Sequence, residues 1–132
     1  MRLCTDGLAA GAAAVPVLRA LGLAELARRD GNAAATAFAQ ALEIEPFDGE
    51  THYNLGVAHQ MEHRAADAAR AYQRAVFYSP GLPSANFNLG VLYQERKAWD
   101  VAAAAYETVL RADPHHVAAH KNLGEVLRAA GQ

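Results

Sequence analysis

The chain has 132 residues, the size of one ordinary domain, which leaves no room for a two-domain enzyme with a separate cofactor module. Hydrophobic residues make up 52% of it, alanine is abundant and β-branched residues are sparse, a composition that favours closely packed helices over strands. The net charge of -2 comes from acids and bases scattered along the chain, so nothing resembles the basic face that nucleic acid binding requires. We therefore expect an all-α protein with no nucleic-acid partner.

The N-terminal residues carry some features of a secretory signal, because Arg2 is followed by an apolar run from Leu8 to Leu18. Asp6 argues against that interpretation. Cys4 is the only cysteine, which excludes an intramolecular disulfide and slightly favours a reducing compartment. No apolar run approaches the ~20 residues of a membrane-spanning helix. We expect a cytoplasmic protein without membrane insertion, with the periplasm as the alternative.

In chain order, the helix-forming segments predict seven helices joined by short turns. We place them at 16–29, 32–45, 49–62, 66–79, 83–96, 100–112 and 117–130. Asp30-Gly31-Asn32 is predicted to form the first turn, Asp48 to cap the third helix, and Pro83 to open the fifth. Residues 1–14 form either the remnant second helix of a preceding unit or an N-terminal cap.

A repeat of 34 residues runs through these segments, marked by the dipeptide Leu-Gly. The dipeptide occurs at Leu21-Gly22, Leu55-Gly56, Leu89-Gly90 and Leu123-Gly124. Three further marks keep the same spacing: the alanines Ala34, Ala68 and Ala102, the rings Phe38, Tyr72 and Tyr106, and the prolines Pro46, Pro80 and Pro114. The units therefore span 15–48, 49–82 and 83–116, with a partial unit at 117–132.

Glycine in the middle of a helix costs ~1 kcal/mol relative to alanine, so these glycines predict a close approach by a neighbouring helix. In each second helix the alanine and the ring lie four residues apart on one face, where the small residue admits the neighbour and the ring fills the gap. The prolines end the second helices, because proline lacks the amide donor and disfavours helix in the residue before it.

The pattern of Asn-Leu-Gly, a small residue, an aromatic residue and a closing proline resembles the tetratricopeptide repeat family, over residues 15–132. The resemblance implies a right-handed α-solenoid of helix-turn-helix repeats, with three full repeats and one further first helix. It also implies that the first helices line a concave groove. The implied function is a protein-protein interaction scaffold, which binds a peptide or an extended protein segment in that groove.

The residues two places before each glycine are expected to face the groove, and three of the four are asparagines. These positions hold Ala20, Asn54, Asn88 and Asn122, the positions just before them hold Arg19, Tyr53, Phe87 and Lys121, and Gln60, Gln94 and Arg128 lie further along. An amide side chain offers both a donor and an acceptor, so a row of them can bind the backbone of an extended peptide. The row resembles the asparagine ladder of O-linked N-acetylglucosamine transferases. The alternative is structural: the amides bond to an adjacent helix, and Tyr53 and Phe87 pack between first helices.

Some tetratricopeptide domains grip acidic C-termini of heat-shock chaperones with a carboxylate clamp of paired Lys or Arg and Asn. Here only Asn88, Asn122 and either Arg19 or Lys121 match that clamp. The positions that need another asparagine hold Leu23, Val57, Val91 and Glu125. The resemblance therefore predicts that the clamp is absent.

The histidines do not predict a metal site. His59 and His63 are four residues apart with His52 two turns earlier, but His52 and His59 occupy positions where the family has aromatic packing residues. His115, His116 and His120 surround a helix start and are expected to bind metal only adventitiously. No catalytic triad, P-loop or dinucleotide-binding motif stands in its expected context. We expect neither catalysis nor a cofactor.

Two alternatives to a peptide-binding scaffold stay open. The chain is also compatible with the substrate-recognition arm of a larger glycosyltransferase. It is equally compatible with a self-assembling module, because Leu123, Val126 and Leu127 keep the apolar pattern that a following second helix would bury. That pattern predicts an exposed patch, which would dock on a second copy's last helix or N-terminal segment.

Overall fold

A computed structural model describes the backbone of residues 2–132 and the side chains of residues 11–132. The described backbone forms seven α-helices with short connections and contains no strand. In chain order these are α1 (Arg2–Ala27), α2 (Gly31–Ile44), α3 (Gly49–Met61), α4 (Ala65–Tyr78), α5 (Pro83–Glu95), α6 (Trp99–Ala112) and α7 (Val117–Ala130). None of the helices in this described part has the length and apolar character needed to cross a membrane.

The boundaries of α2 to α7 match the predicted helices, whereas the predicted start of the first helix was wrong. Helix α1 begins at Arg2 and runs through Pro16 without a break. A proline inside a helix removes one backbone hydrogen bond, which the long alanine-rich helix tolerates here. The interpretation of residues 1–14 as a cap or remnant helix stays a prediction, because the side chains of residues 1–10, Cys4 among them, lie outside the described part.

The first helices α1, α3 and α5 end in the same turn, and the first of these turns is not where we predicted it. The turns place Arg29, His63 and Lys97, 34 residues apart, at φ 66, 60 and 61°. In the second of them the N–H of Arg64 donates to the carbonyl of His59 at 2.9 Å, the bond that closes a Schellman motif. Gly31 lies beyond the turn and begins α2, where an added Cβ would stand 2.6 Å from the carbonyl oxygen of Ala58. Gly31 therefore serves a close approach between helices rather than a turn.

The predicted capping residues are confirmed. The carboxylate of Asp48 caps α3 by accepting from the N–H of Glu50 at 3.2 Å, and Pro83 is in the first turn of α5. The carboxylate of Asp48 also accepts from the hydroxyl of Thr51 and from Arg19, each at 2.7 Å. Partial burial opposes ionisation of Asp48, but these two donors outweigh it and lower its pKa.

The helices pack as a linear array in which each helix lies mainly against its neighbours in sequence. The first helices also touch one another, α1 with α3 and α5 with α7, whereas the second helices make no contact of that extent within the described residues. The first helices are therefore the inner row and the second helices the outer row of an all-α solenoid.

The core lies where each second helix meets the next first helix. Its three clusters are Ala34, Ala35, Phe38 and Ala58; Ala68, Ala69, Tyr72, Leu89 and Leu92; and Ala102, Tyr106, Val109, Ala119 and Val126. The repeated alanine and ring of the sequence pattern belong to these clusters, as predicted.

The repeated glycines are required by the rings of the second helices. A Cβ on Gly90 would stand 2.6 Å from the ring of Tyr106, and a Cβ on Gly56 would stand 2.5 Å from the ring of Tyr72. A Cβ on Gly22 would likewise collide with the ring of Phe38. Gly124 differs, since the nearest atom is a guanidinium nitrogen of Arg128 at 3.8 Å. The close approach that we expected is thus made by a side chain of the crossing helix and not by its backbone.

Candidate functional site

The inner row carries a hydrogen-bonded unit that joins two successive repeats. The hydroxyl of Tyr72, on the outer helix α4, donates to the side-chain oxygen of Gln60 on α3 at 2.6 Å. The same hydroxyl accepts from the side-chain amide of Asn88 on α5 at 3.2 Å. One tyrosine thereby connects the glutamine of its own repeat to the asparagine of the next.

The unit recurs one repeat later with nearly the same distances. The hydroxyl of Tyr106 donates to Gln94 at 2.6 Å and accepts from Asn122 at 3.3 Å. Burial raises the pKa of both tyrosines, and the bonds from the two asparagines offset only part of that rise. Both hydroxyls therefore stay protonated at neutral pH and keep their role as donors. We call these two units the Gln-Tyr-Asn units.

The first repeat lacks the unit. Phe38 replaces the tyrosine and Leu26 replaces the glutamine, so no hydroxyl reaches the asparagine of the following repeat. Asn54 accordingly makes no side-chain hydrogen bond with any residue whose side chain the structure describes. The three asparagines predicted as one uniform row therefore differ: Asn88 and Asn122 are held by tyrosines, and Asn54 is not.

Each held asparagine keeps unused hydrogen-bonding capacity. An amide side chain has two N–H donors and an oxygen with two lone pairs, whereas the tyrosine occupies one donor. Asn88 and Asn122 are both only half-buried. The free donor and the oxygen are thus in a fixed orientation, since the bond to the tyrosine sets the rotation of the amide group.

The predicted aromatic residues lie beside these units and are also half-buried. The ring of Tyr53 lies 5.8 Å from that of Tyr72, and the ring of Phe87 lies 5.8 Å from that of Tyr106. Phe87 also approaches His116 at 5.0 Å. One side of each ring therefore packs against the repeat core, and the rest remains accessible.

The charged residues are distributed unevenly along the inner row. Arg19 forms an ion pair with Asp48 at 2.7 Å, which joins α1 to the start of α3. At the other end Lys121 and Arg128 are exposed, and Glu125 accepts from Gln94 at 3.3 Å. In the first repeat Ala20 and Leu23 are exposed instead. Apart from the paired Arg19, the row thus changes from exposed apolar residues at the first repeat to exposed charged residues at the last.

The predicted patch on α7 is smaller than expected. Val126 is 0% exposed because it turns back onto the third repeat and packs in the cluster of Tyr106 and Val109. Our expectation that Val126 contributes to an exposed patch was therefore wrong. Leu123 is half-buried, and Leu127 remains 55% exposed.

Four of the histidines have structural roles: His116 caps α7 by accepting from the N–H of Ala119 at 3.0 Å, His120 lies with its Nε2 2.7 Å from the carbonyl oxygen of Pro114, and the other two are His52 and His59. His52 is 5% exposed, and its Nε2 lies 2.8 Å from the carbonyl oxygen of Pro46, so that nitrogen must carry the proton. His59 accepts from Arg64 at 3.2 Å, and burial together with the charge of Arg64 lowers its pKa. Among the residues with described side chains, no three His, Cys, Asp or Glu groups are placed to hold a metal ion.

The tyrosine hydroxyls are the feature of the site that the sequence analysis missed, because tyrosine and phenylalanine were counted as equivalent rings. One signal was present. The repeats with Tyr72 and Tyr106 have a glutamine at one equivalent position, Gln60 or Gln94. The repeat with Phe38 has Leu26 at that position. A polar pair that replaces an apolar pair at two positions together indicates a hydrogen bond between them.

Comparison with known proteins identifies the family. The sequence profile of the tetratricopeptide repeat family matches residues 19–83, 62–104 and 87–132. These matches together cover most of the chain, which therefore belongs to the tetratricopeptide repeat family. Repeats of this family are protein-interaction modules. No curated protein sequence matched the chain.

Solved structures with the same fold support this assignment. A crystal structure of the MamA protein is 26% identical with a TM-score of 0.83 and covers 89% of this chain, which spans 64% of the MamA chain. The first tetratricopeptide domain of Spaghetti (RPAP3), bound to the HSP90 peptide SRMEEVD, is 19% identical with a TM-score of 0.82. The match covers 89% of this chain and 96% of the Spaghetti chain. The tetratricopeptide domain of Sgt2 from Aspergillus fumigatus is 24% identical with a TM-score of 0.78. The match covers 89% of this chain and 79% of the Sgt2 chain.

Proposed function

We propose that this protein is an interaction scaffold whose inner row of helices binds an extended peptide segment by its main chain. The observation that carries the proposal is the pair of Gln-Tyr-Asn units, which hold Asn88 and Asn122 at repeat spacing with a free donor and acceptor each. An extended peptide presents main-chain donors and acceptors at regular intervals, so such a row suits it independently of sequence.

The half-buried rings of Tyr53 and Phe87 supply apolar contact area next to these amides. Rings of this kind account for much of the binding energy at protein interfaces, since they lose little conformational entropy on binding. The change in polarity along the row favours one orientation of the bound ligand. An apolar end of the ligand would lie at the first repeat, and a charged end would lie beside Lys121, Glu125 and Arg128.

The ligand differs from the chaperone C-termini that a carboxylate clamp holds. One structure of this fold contains an HSP90 peptide, which supports peptide binding by such an array in general. In this chain, however, Arg19 is engaged by Asp48, and Val57, Val91 and Glu125 occupy positions where a clamp needs asparagine. We therefore expect no enhanced affinity for that class of acidic tail.

The proposal is tested with peptides selected from a random phage-displayed library on the wild-type protein. Replacing both Phe87 and Asn88 by alanine is expected to weaken the selected peptides by ~2 kcal/mol or more, the size expected for an anchor ring plus an amide. Gln40→Ala, an exposed change on the outer helix α2, is the matched control. Unchanged affinity in a variant with normal helicity would refute the groove.

Self-association through α7 is the second candidate, and one observation favours it. Among the side chains that the structure describes, no ring lies over Gly124, unlike the three earlier glycines, and Leu127 beside it is exposed. A second copy's α7, lying antiparallel, would take the position that a second helix occupies in the other repeats. Sedimentation of the wild type beside Leu123→Glu, Leu127→Glu tests this, with Ala104→Glu as control, and a wild type that is monomeric across micromolar concentrations would contradict it.

A further inference from the structure

A cluster of four rings lies where the first repeat meets the second, near the C-terminal ends of α2 and α4 and the start of α3, and shares no residue with the Gln-Tyr-Asn units. Tyr78 at the end of α4 is its centre: the ring of Phe47 lies 5.3 Å away, that of His52 lies 5.4 Å away and that of Phe77 lies 5.2 Å away. Phe47 and Phe77 are 71% and 77% exposed. Two large rings are therefore held in water by contact with Tyr78, which is itself 36% exposed.

The repeat fold does not require these rings. The equivalent positions in the other repeats hold Gly81 and His115 for Phe47, Glu43 and Arg111 for Phe77, and Ile44 and Ala112 for Tyr78. All three repeats form the same helix pair although the residues at these positions differ. Packing within the array therefore does not explain this aromatic cluster, and exposed clusters of apolar residues commonly mark interaction sites.

A cavity of ≈ 540 Å³ opens beside the cluster, between the outer helices α2 and α4. Leu55 lies on α3 between them, Ala39 and Leu42 contribute apolar surface from α2, and Tyr78 belongs to both the cavity and the cluster. This size and lining suit a large apolar side chain. Pro46 lines this cavity and also a neighbouring one of ≈ 530 Å³, which Ile44 and Phe47 share, so the accessible surface extends beyond a single side chain. An elongated surface of this kind fits a polypeptide segment better than a small molecule.

Opposite charges stand on the two walls of the cavity. Glu43 on α2 and Arg74 on α4 both line it, and both are exposed. Neither takes part in an ion pair with another residue whose side chain is described. A ligand that inserts an apolar side chain between them would therefore meet a cation on one side and an anion on the other.

We propose that this outer surface is a second protein-binding site. Its occupant is a polypeptide segment that inserts an aromatic side chain into the cavity, stacks against Phe47, Phe77 and Tyr78, and pairs an adjacent acidic residue with Arg74. The guanidinium of Arg74 favours a carboxylate because it can donate two parallel hydrogen bonds to it. The site is separate from the inner row and does not depend on peptide binding there.

The test pans a random phage-displayed peptide library on the wild-type protein, with counter-selection on a double variant. The variant is Phe47→His, Phe77→Arg, which installs the residues of the third repeat and should fold normally because both positions are exposed. The enriched peptides are expected to carry an aromatic residue next to Asp or Glu. They should bind at least about tenfold more weakly to the double variant and to Arg74→Glu, a loss typical of an interface anchor. Asn88→Ala, on the inner row, should leave their affinity unchanged.

Three results would overturn the proposal. The first is the absence of enriched peptides, or peptides that bind the double variant as tightly as the wild type. The second is a wild-type dimer in sedimentation that the double variant abolishes, because the cluster would then be covered by a second copy of this chain. The third is binding of the wild type, but not of the double variant, to phosphatidylcholine vesicles, which would assign the rings to a membrane surface.

Discussion

The first repeat and the two that follow it form the same helix pair with different chemistry at the inner row. All three place a ring from the second helix over the glycine of the first, but only Tyr72 and Tyr106 carry a hydroxyl that reaches the inner row. Phe38 fills the same space without it. The comparison separates what the fold needs, which is the ring, from what arranges the polar surface of the groove, which is the hydroxyl.

The largest effect should come from the contact that all three repeats share. Gly90→Leu is expected to destabilise the array by at least ~2 kcal/mol, because the new side chain collides with the ring of Tyr106. Gly22→Leu should cost a similar amount, since the ring of Phe38 is equally close. Thermal or urea unfolding followed by circular dichroism measures both.

Gly124 provides the matched control, because no ring covers it. Gly124→Ala should raise stability by up to ~1 kcal/mol through helix propensity alone. If Gly90→Ala raised stability by the same amount, the ring contact would not be the reason for the glycine.

A smaller effect should distinguish the repeats from one another. Tyr72→Phe and Tyr106→Phe are each expected to cost ~1 kcal/mol, because each leaves a glutamine and an asparagine without their partner. In the first repeat the reverse change, Phe38→Tyr with Leu26→Gln, should rebuild the unit and hold Asn54. The side-chain amide signals of Asn54 in NMR spectra report this: they should become protected from exchange in the double variant and in no single one.

The smallest effect concerns the turn that all three repeats share. Lys97 adopts a left-handed conformation at φ 61°, which costs a residue with a Cβ ~1–2 kcal/mol and costs glycine almost nothing. Lys97→Gly should therefore raise the free energy of unfolding, measured in urea, by ~0.5–1 kcal/mol. This net gain is smaller than the relieved backbone strain because glycine also increases the conformational entropy of the unfolded chain. Arg29→Gly should behave alike, and destabilisation by either would show that the side chain contributes more than the backbone conformation costs.

Most of the fold could be predicted from the sequence, because a repeat presents the same evidence several times. The glycine, the alanine, the ring and the proline each recur at one spacing, so an accidental match at one position is corrected by the others. The prediction was wrong in two places. Helix α1 begins at Arg2, before the repeat, where no second copy marks a helix start. Gly31 was assigned to a turn that Arg29 makes without glycine, as His63 and Lys97 do in the next two repeats.

The equivalence of the asparagines could be predicted, but their hydrogen bonding could not. The 34-residue repeat places Asn54, Asn88 and Asn122 at the same position of three successive first helices. Which of them is held depends on a hydroxyl from a helix of the preceding repeat, a contact that no spacing within one helix reveals. The burial of Val126 was missed for the same reason, since α7 packs on the third repeat rather than presenting its whole apolar face to solvent.

One titration shows whether the tyrosine hydroxyls orient the asparagines for a peptide ligand. A single peptide selected on the wild type is titrated, by isothermal calorimetry, into the wild type, Asn88→Ala, Tyr72→Phe and Phe38→Tyr. We expect the affinity to fall about tenfold in Asn88→Ala and about three- to tenfold in Tyr72→Phe, although Tyr72 is buried beneath the groove. The affinity should be retained in Phe38→Tyr. A peptide whose affinity drops in Asn88→Ala yet is identical in Tyr72→Phe would contradict the orienting role, and a peptide indifferent to both would contradict the groove itself.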